Sequence, residues 1–161
     1  MSNEQVILND ILKLVTFTPC DDKAPTPPEV FACAHIILIS ANGEIYLTKE
    51  TKNDFYNLPG GGKKPNETPE QTATRETAEE LGIKLDKEDL HYIGSLVLRG
   101  HTMFPIFTVQ NANKYHPMKM RKIETIALEL MDFIKTVKEI NQQIGPFLDL
   151  VVAYATQEKN R

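Results

Sequence analysis

Cysteine is scarce: Cys20 and Cys33 are the only two in the chain. Two thiols are too few for a disulfide framework or a zinc cluster, and nothing around them suggests a redox pair, so plain thiols in a reducing compartment are expected. An excess of positive charge is missing as well. The 18 basic and 22 acidic residues give a net charge of −4, spread along the chain, and no overall positive field exists to hold duplex DNA. No stretch approaches the roughly 20 apolar residues that cross a bilayer. The opening MSNEQVILND has neither the basic region nor the apolar run of a signal peptide. A cytoplasmic protein with no membrane partner is expected. Internal repeats and low-complexity tracts are also absent.

What is present is an ordinary folding composition, with 41% apolar and 25% charged residues in a length of 161. One domain over 1–161 is expected, large enough to bury its own core. Residues 4–15 carry apolar side chains at Val6, Ile7, Leu8, Ile11, Leu12, Leu14 and Val15, which fits a helix better than a strand. Residues 21–29, DDKAPTPPE, read as an extended surface loop. Two β-prone runs, 31–40 and 44–49, meet at Ala41-Asn42-Gly43, a tight-hairpin signal. A second pair, 90–98 and 102–110, surrounds Arg99-Gly100-His101, with Pro105 restricting its later run to an edge or a bulge. A last strand is predicted over 124–130. A helix capped by Asp132 should run to about residue 143, and Pro146 should open another over 146–157. Helix, strands, central helix, strands and helices in this order predict a mixed α+β sandwich.

The centre of the chain carries the chemistry. Leu58-Pro59-Gly60-Gly61-Gly62 places three glycines after a β-prone segment, where the main chain can be closely approached; alone, such a run would be a turn. Thr68 is a good N-cap, Pro69 suits the first helical position, and Gln71 completes a capping box. The helix should end near Leu81, closed by a left-handed Gly82, with Ala73, Thr77, Ala78 and Leu81 as a narrow inner face.

Glu76, Glu79 and Glu80 stand three and four positions apart, so their carboxylates converge at a repulsive cost of a few tenths of a kcal/mol per pair. A bare RETAEE segment reads as a solvated acidic face. Beside the glycines, converging carboxylates suit a hard divalent cation, Mg²⁺ or Mn²⁺, which takes oxygen ligands and keeps waters for a phosphate to replace.

The spacing is specific. Gly61, five residues, Glu67, seven residues, Arg75-Glu76, then Glu79-Glu80, one residue and Gly82-Ile83 resembles the signature of the Nudix hydrolases at every charged and glycine position. Tyr56 stands where many members have tryptophan, and Thr77 where an aliphatic residue is usual; threonine keeps valine's shape and can return its hydroxyl to the helix backbone. The order of elements resembles the family's α/β/α sandwich over residues 30–145. The helices over 4–15 and 146–157 stand outside it as additions.

The resemblance implies hydrolysis of a phosphoanhydride bond in a small nucleoside-diphosphate-linked compound. It implies that Glu76, Glu79 and Glu80 hold Mg²⁺ or Mn²⁺, that Glu67 supports the site and Arg75 orients its carboxylates, and that the Gly60 carbonyl completes the metal shell. Helix spacing lets Arg75 reach Glu79 or fold back to Glu67 and keeps it from its neighbour Glu76. Glu76 is the favoured general base, with Glu124 as the second candidate. Residues 94–100, GSLVLRG, lack the proline or tyrosine that marks ADP-ribose or dinucleoside-polyphosphate hydrolysis in related subfamilies. Nucleoside triphosphates and nucleotide sugars remain open as substrates. A silent nucleotide-binding module would have lost a box carboxylate; an RNA 5′-end pyrophosphohydrolase would need a basic track, against which the net charge of −4 argues mildly. His116, Lys119, Arg121 and Lys122 form a cluster able to meet a phosphate or a base edge, or to serve as solvated surface. Tyr46, Phe55, Tyr56, Phe104 and Phe107 include rings that can stack a base or fill the core. The N-terminal apolar segment can pack on its own core or on a second subunit, and the resemblance suggests a homodimer.

Overall fold

A computed structural model of the chain describes residues 6–161. In chain order its main elements are β1 (Val15–Pro19), β2 (Cys33–Ile37), β3 (Glu44–Glu50), β4 (Gly60–Gly62), α1 (Pro69–Leu81), β5 (Leu90–Leu98), β6 (Thr102–Val109), β7 (Ile123–Glu129), α2 (Leu130–Ile140) and α3 (Gly145–Lys159). Five strands form a sheet in the order β1-β5-β6-β2-β4, while β3 and β7 pair antiparallel as a second, two-stranded sheet. The five-stranded sheet is mixed, because β2 and β6 run parallel and the other neighbours antiparallel.

Ile36 and Ile37 are consecutive on β2 and both are fully buried. Neighbours along a strand face opposite ways, so both faces of this sheet are covered. Helix α1 packs over β2 and β4, whereas α2 and α3 pack on each other and on β7, β3 and β1. The result is the three-layer α+β sandwich that the order of elements predicts.

Local sequence builds α1 as expected. The Thr68 hydroxyl accepts from the Gln71 amide at 3.2 Å, the Gln71 side chain accepts from the Thr68 amide at 2.9 Å, and Pro69 occupies the first turn. Gly82 closes the helix at φ +67°. The Thr77 hydroxyl donates to the Ala73 carbonyl at 2.7 Å. The inner face differs from expectation at one position: Ala78 is exposed, and Thr72 is buried with Ala73, Thr77 and Leu81. Burial of Thr72 is tolerated because its hydroxyl donates to Glu67 at 3.0 Å.

Other expectations need correction. The predicted helix over 4–15 begins outside the described residues, and within them only Asp10–Leu14 is helical, as a short 3₁₀ turn entered through an Asn9 cap. Leu8 bridges Tyr56, and Val15 already begins β1, which pairs with β5 from Val15↔Leu98 to Pro19↔Gly94. The free edge of β5 gives these backbone groups partners, and the β-branched Val15, Thr16 and Thr18 suit a strand. The Asn42-Gly43 turn forms, but its two strands separate beyond the Ile39–Ile45 bridge and enter different sheets. Pro105 lies in an interior strand rather than at an edge, and the partner β5 carries an irregularity between Tyr92 and Gly94. Helix α2 starts at Leu130, directly out of β7, so Asp132 sits in its first turn and not at its cap, where its charge still meets the positive helix end. The glycine run forms the short strand β4 against Cys33–His35 rather than a loop.

One long-range contact closes the layer opposite α1. The Asn141 side-chain amide donates to the Leu12 and Val15 carbonyls, both at 2.8 Å, joining the entry to β1 with the end of α2. Among the described residues no helix is long and apolar enough to cross a membrane.

Candidate active site

β4 and α1 face each other at the end of β2, so the glycines and the helix carboxylates meet. The Gly60 amide donates to Glu80 Oε1 at 2.7 Å. Gly60 has φ +145°, and a Cβ there would lie 2.2 Å from the Ala34 carbonyl oxygen and 2.6 Å from His35 Nδ1. A Cβ on Gly61 would lie 2.6 Å from the carboxyl carbon of Glu76. The close approach that the glycines permit is therefore made first by the protein's own His35 and Glu76, while Gly62 faces open space.

Arg75 is the hub of the acidic cluster. Its Nε and Nη2 donate to Glu67 at 2.8 and 3.0 Å, Nη1 to Glu76 at 3.0 Å and to Glu79 at 3.3 Å, and Nη2 also to the Gly62 carbonyl at 2.8 Å. Contact with Glu76 departs from the helix-spacing expectation: the guanidinium forks between Glu67 on the loop and Glu76 and Glu79 on the helix. Glu67 accepts further from the Lys64 amide at 2.8 Å and from Thr72.

These contacts divide the carboxylates electrically. Hydrogen bonds from Arg75 bring Glu67 down to about 2. Burial pushes Glu76 above its ordinary value, against the pull of Arg75. Burial pushes Glu80 up to about 7, with the nearby Glu76 charge adding to the effect and the Gly60 amide opposing it. One guanidinium cannot neutralise Glu67, Glu76, Glu79 and Glu80 together, so charge on the more buried Glu76 and Glu80 is disfavoured, and an added cation relieves it.

Among the described residues no three His, Cys, Asp or Glu side chains close into a ready metal cage. Arg75 occupies the space between Glu67, Glu76 and Glu79, and Glu80 is turned onto the Gly60 amide. The donor chemistry nevertheless fits a hard cation, with hard carboxylate oxygens drawn toward the glycine strand β4.

A cavity of about 320 Å³ adjoins Glu80, Gly60 and Gly61. Its walls include His35, Phe104, Leu96 and Lys49. His35 Nδ1 lies 3.1 Å from the Leu58 carbonyl, and its ring meets Phe104 edge-on at 6.4 Å. Burial lowers the His35 pKa, which favours the neutral ring. Sequence reading passed over His35, Cys33 and Lys49; the alternation of Cys33 and His35 along β2, which puts both on one face, was the available signal for the first two.

Glu124 does not join the Arg75 cluster. It sits on β7 opposite Lys49 of β3 and accepts from its ammonium at 2.7 Å. It lines a neighbouring groove with Lys119, Arg121, Lys122 and Tyr46, and Tyr56 lines both groove and cavity. His116 is not among the residues lining either space. The groove's loop is fastened to the end of α1, where the Met118 amide donates to the Leu81 carbonyl at 2.7 Å. Of the candidate rings, Tyr56 and Phe104 line the cavity, while Phe107 packs in the core against Tyr92.

A mixed sheet between helices, with a glycine strand facing an arginine-bridged row of helix glutamates, defines a class of α+β proteins with an acidic site. The family model for the NUDIX domain matches residues 31–150. The chain belongs to the Nudix hydrolase family.

Among curated proteins it is similar to an RNA pyrophosphohydrolase of Hydrogenovibrio crunogenus (strain DSM 25203 / XCL-2), 36% identical over 59 residues, 37% of this chain and 34% of that protein. It is also similar to a MutT-like protein of Streptomyces ambofaciens, 28% identical over 78 residues, 48% of this chain and 51% of that protein. The matches thus span only a third to a half of those relatives' length. Among solved structures, an Ap4A hydrolase of C. elegans superposes with a TM-score of 0.60 at 21% identity, covering 78% of this chain and 98% of that one. MutT from Aliivibrio salmonicida and Vibrio cholerae gives a TM-score of 0.56 at 20% identity, covering 75% and 94%. At these identities the likeness is one of fold.

Proposed function

We propose that the chain hydrolyses a phosphoanhydride bond of a small nucleoside-diphosphate-linked substrate, a nucleoside triphosphate or nucleotide sugar, with Mg²⁺ or Mn²⁺. The observation that carries this reading is the meeting of Gly60, Gly61 and Glu80 at the wall of a cavity, with the Glu76 carboxylate packed against Gly61. Glu76, Glu79, Glu80 and the Gly60 carbonyl are the proposed ligands, with Glu67 in support. Bound ions would neutralise the diphosphate, lower the pKa of water and stabilise charge on the breaking bond.

The rest falls to the chain itself. Arg75 keeps Glu67, Glu76 and Glu79 aimed at one region. Glu76 is the proposed general base, because it packs against the glycine strand and burial raises its proton affinity above that of an ordinary carboxylate. Phe104 and Leu96 offer an apolar wall for a base or sugar. We take 1–161 as a single domain, place it in the cytoplasm on account of its free thiols Cys20 and Cys33, and keep the homodimer as a proposal.

A second reading, hydrolysis at the 5′ end of RNA, draws on the groove with Lys119, Arg121 and Lys122 that continues from the cavity at Tyr56. The test is product release from nucleoside triphosphates, nucleotide sugars, ADP-ribose, dinucleoside polyphosphates and 5′-triphosphorylated RNA, with Mg²⁺, Mn²⁺ or chelator. Metal-dependent turnover of a small nucleotide supports the first reading and preference for RNA the second. Tight metal-dependent binding without turnover would replace both with a binding module.

A further inference from the structure

Lys49 is the one lysine or arginine among the described residues that line the cavity, which it shares with the acids Glu50 and Glu80. Arg75 is already committed to three carboxylates and the Gly62 carbonyl. Lys119, Arg121 and Lys122 line the outer groove instead. A polyanion entering the cavity therefore meets a single protein cation.

That cation is held in place. The Lys49 side chain is 16% exposed, its Nζ donates to Glu124 at 2.7 Å and to the Asn53 carbonyl at 2.9 Å, and it lies 5.6 Å from the centre of the Tyr56 ring. An ammonium has three N–H donors. Glu124 and Asn53 take two, which leaves one for a phosphate oxygen. Glu124 is 48% exposed and spends an oxygen on this contact. A cross-strand pair serving stability alone has no need of a lysine in the cavity wall.

Resting on the hydrolase reading above, we propose that Lys49 binds a phosphate group of the substrate, and that Glu124 is its positioning residue rather than a proton acceptor in the reaction. Substrate phosphate takes the third donor of Lys49 while Glu124 and Asn53 fix the other two. Glu124 thereby acts on substrate affinity and leaves the attack of water to the α1 carboxylates.

The experiment uses the whole chain and two readouts. Binding of methylenediphosphonate, a diphosphate analogue that cannot be hydrolysed, is measured by calorimetry with Mg²⁺, and KM and kcat are measured on the best substrate. Lys49→Met should weaken analogue binding roughly ten- to hundredfold, the range of a lost charge-assisted contact, and Lys49→Arg should recover most of it. Glu124→Gln should weaken binding less, raise KM and keep kcat within about threefold, and the double variant should be no worse than Lys49→Met. Circular dichroism of each variant establishes that it is folded. Analogue binding by a folded Lys49→Met equal to wild type, or by wild type too weak to measure, overturns the proposal. So does a collapse of kcat in Glu124→Gln with KM unchanged, which would place Glu124 in the chemistry. Lys49-dependent binding without turnover of any substrate would sink the hydrolase reading and leave this one standing.

Discussion

Replacing Glu80 by Gln should stabilise the metal-free fold while removing activity. Burial carries the Glu80 carboxyl from its ordinary 4.5 up to about 7, so between these values the native chain holds a proton that the unfolded chain has released. Stability therefore falls as pH rises through that window, and the whole deficit is present above it. A shift of this size corresponds to roughly 3 kcal/mol near pH 8 as an upper limit. Gln keeps an oxygen to accept from the Gly60 amide at 2.7 Å, but the bond loses its charge assistance, about 1–2 kcal/mol. The expected net gain is about 1–2 kcal/mol, or about 2–4 °C in Tm for each kcal/mol in a chain of this size. Thermal melts in chelator from about pH 5 to about pH 8 should show the gap opening with pH. Added Mg²⁺ should raise the wild-type Tm and leave the variant nearly unmoved, while turnover drops by orders of magnitude. A variant less stable than wild type at the upper pH, or a gap independent of pH, would refute the account of Glu80 as a buried, destabilising carboxylate.

Three further outcomes follow from the same geometry. Gly61→Ala puts a methyl 2.6 Å from the Glu76 carboxyl carbon and should push that flexible side chain aside, cutting kcat/KM more than about tenfold at nearly unchanged Tm. Arg75→Ala removes the hub of Glu67, Glu76 and Glu79 and should cost about 2–4 kcal/mol in chelator, by thermal melting, with Mg²⁺ restoring more stability to it than to wild type. Thr68→Ala breaks the capping box and should cost about 1 kcal/mol in a denaturant titration while kcat/KM stays within twofold of wild type, about the scatter of such assays.

Where residues act through neighbours a few positions away, the sequence was readable. The Thr68 cap, the Gly82 stop, the Asn42-Gly43 turn and the convergence of Glu76, Glu79 and Glu80 all follow from helix or turn geometry. Periodicity misled at residues 4–15, because the free edge of β5, some eighty positions away, offered hydrogen-bond partners that no local window contains. Asp132 misled because a good cap residue does not choose where a helix begins when the preceding strand runs straight into it. At the site, helix spacing told where Glu67, Arg75 and Glu79 would meet but missed that the long Arg75 side chain also reaches Glu76. The Lys49–Glu124 pair joins strands whose partnership is not written in either run, and His35 reaches the cavity only because β2 lies beside the glycine strand.

Asn141 has a bearing on the order in which the molecule assembles. Its amide joins residues more than 120 positions upstream, and the cavity wall likewise combines Leu12 and Val15 with Phe133, Val137 and Phe147. During synthesis, the glycine strand and α1 can find each other as soon as the middle of the chain emerges. The chamber beside them waits for α2 and α3, since contacts of such sequence separation form late. A nascent or truncated chain lacking α2 and α3 would thus present the acidic cluster beside an unwalled pocket.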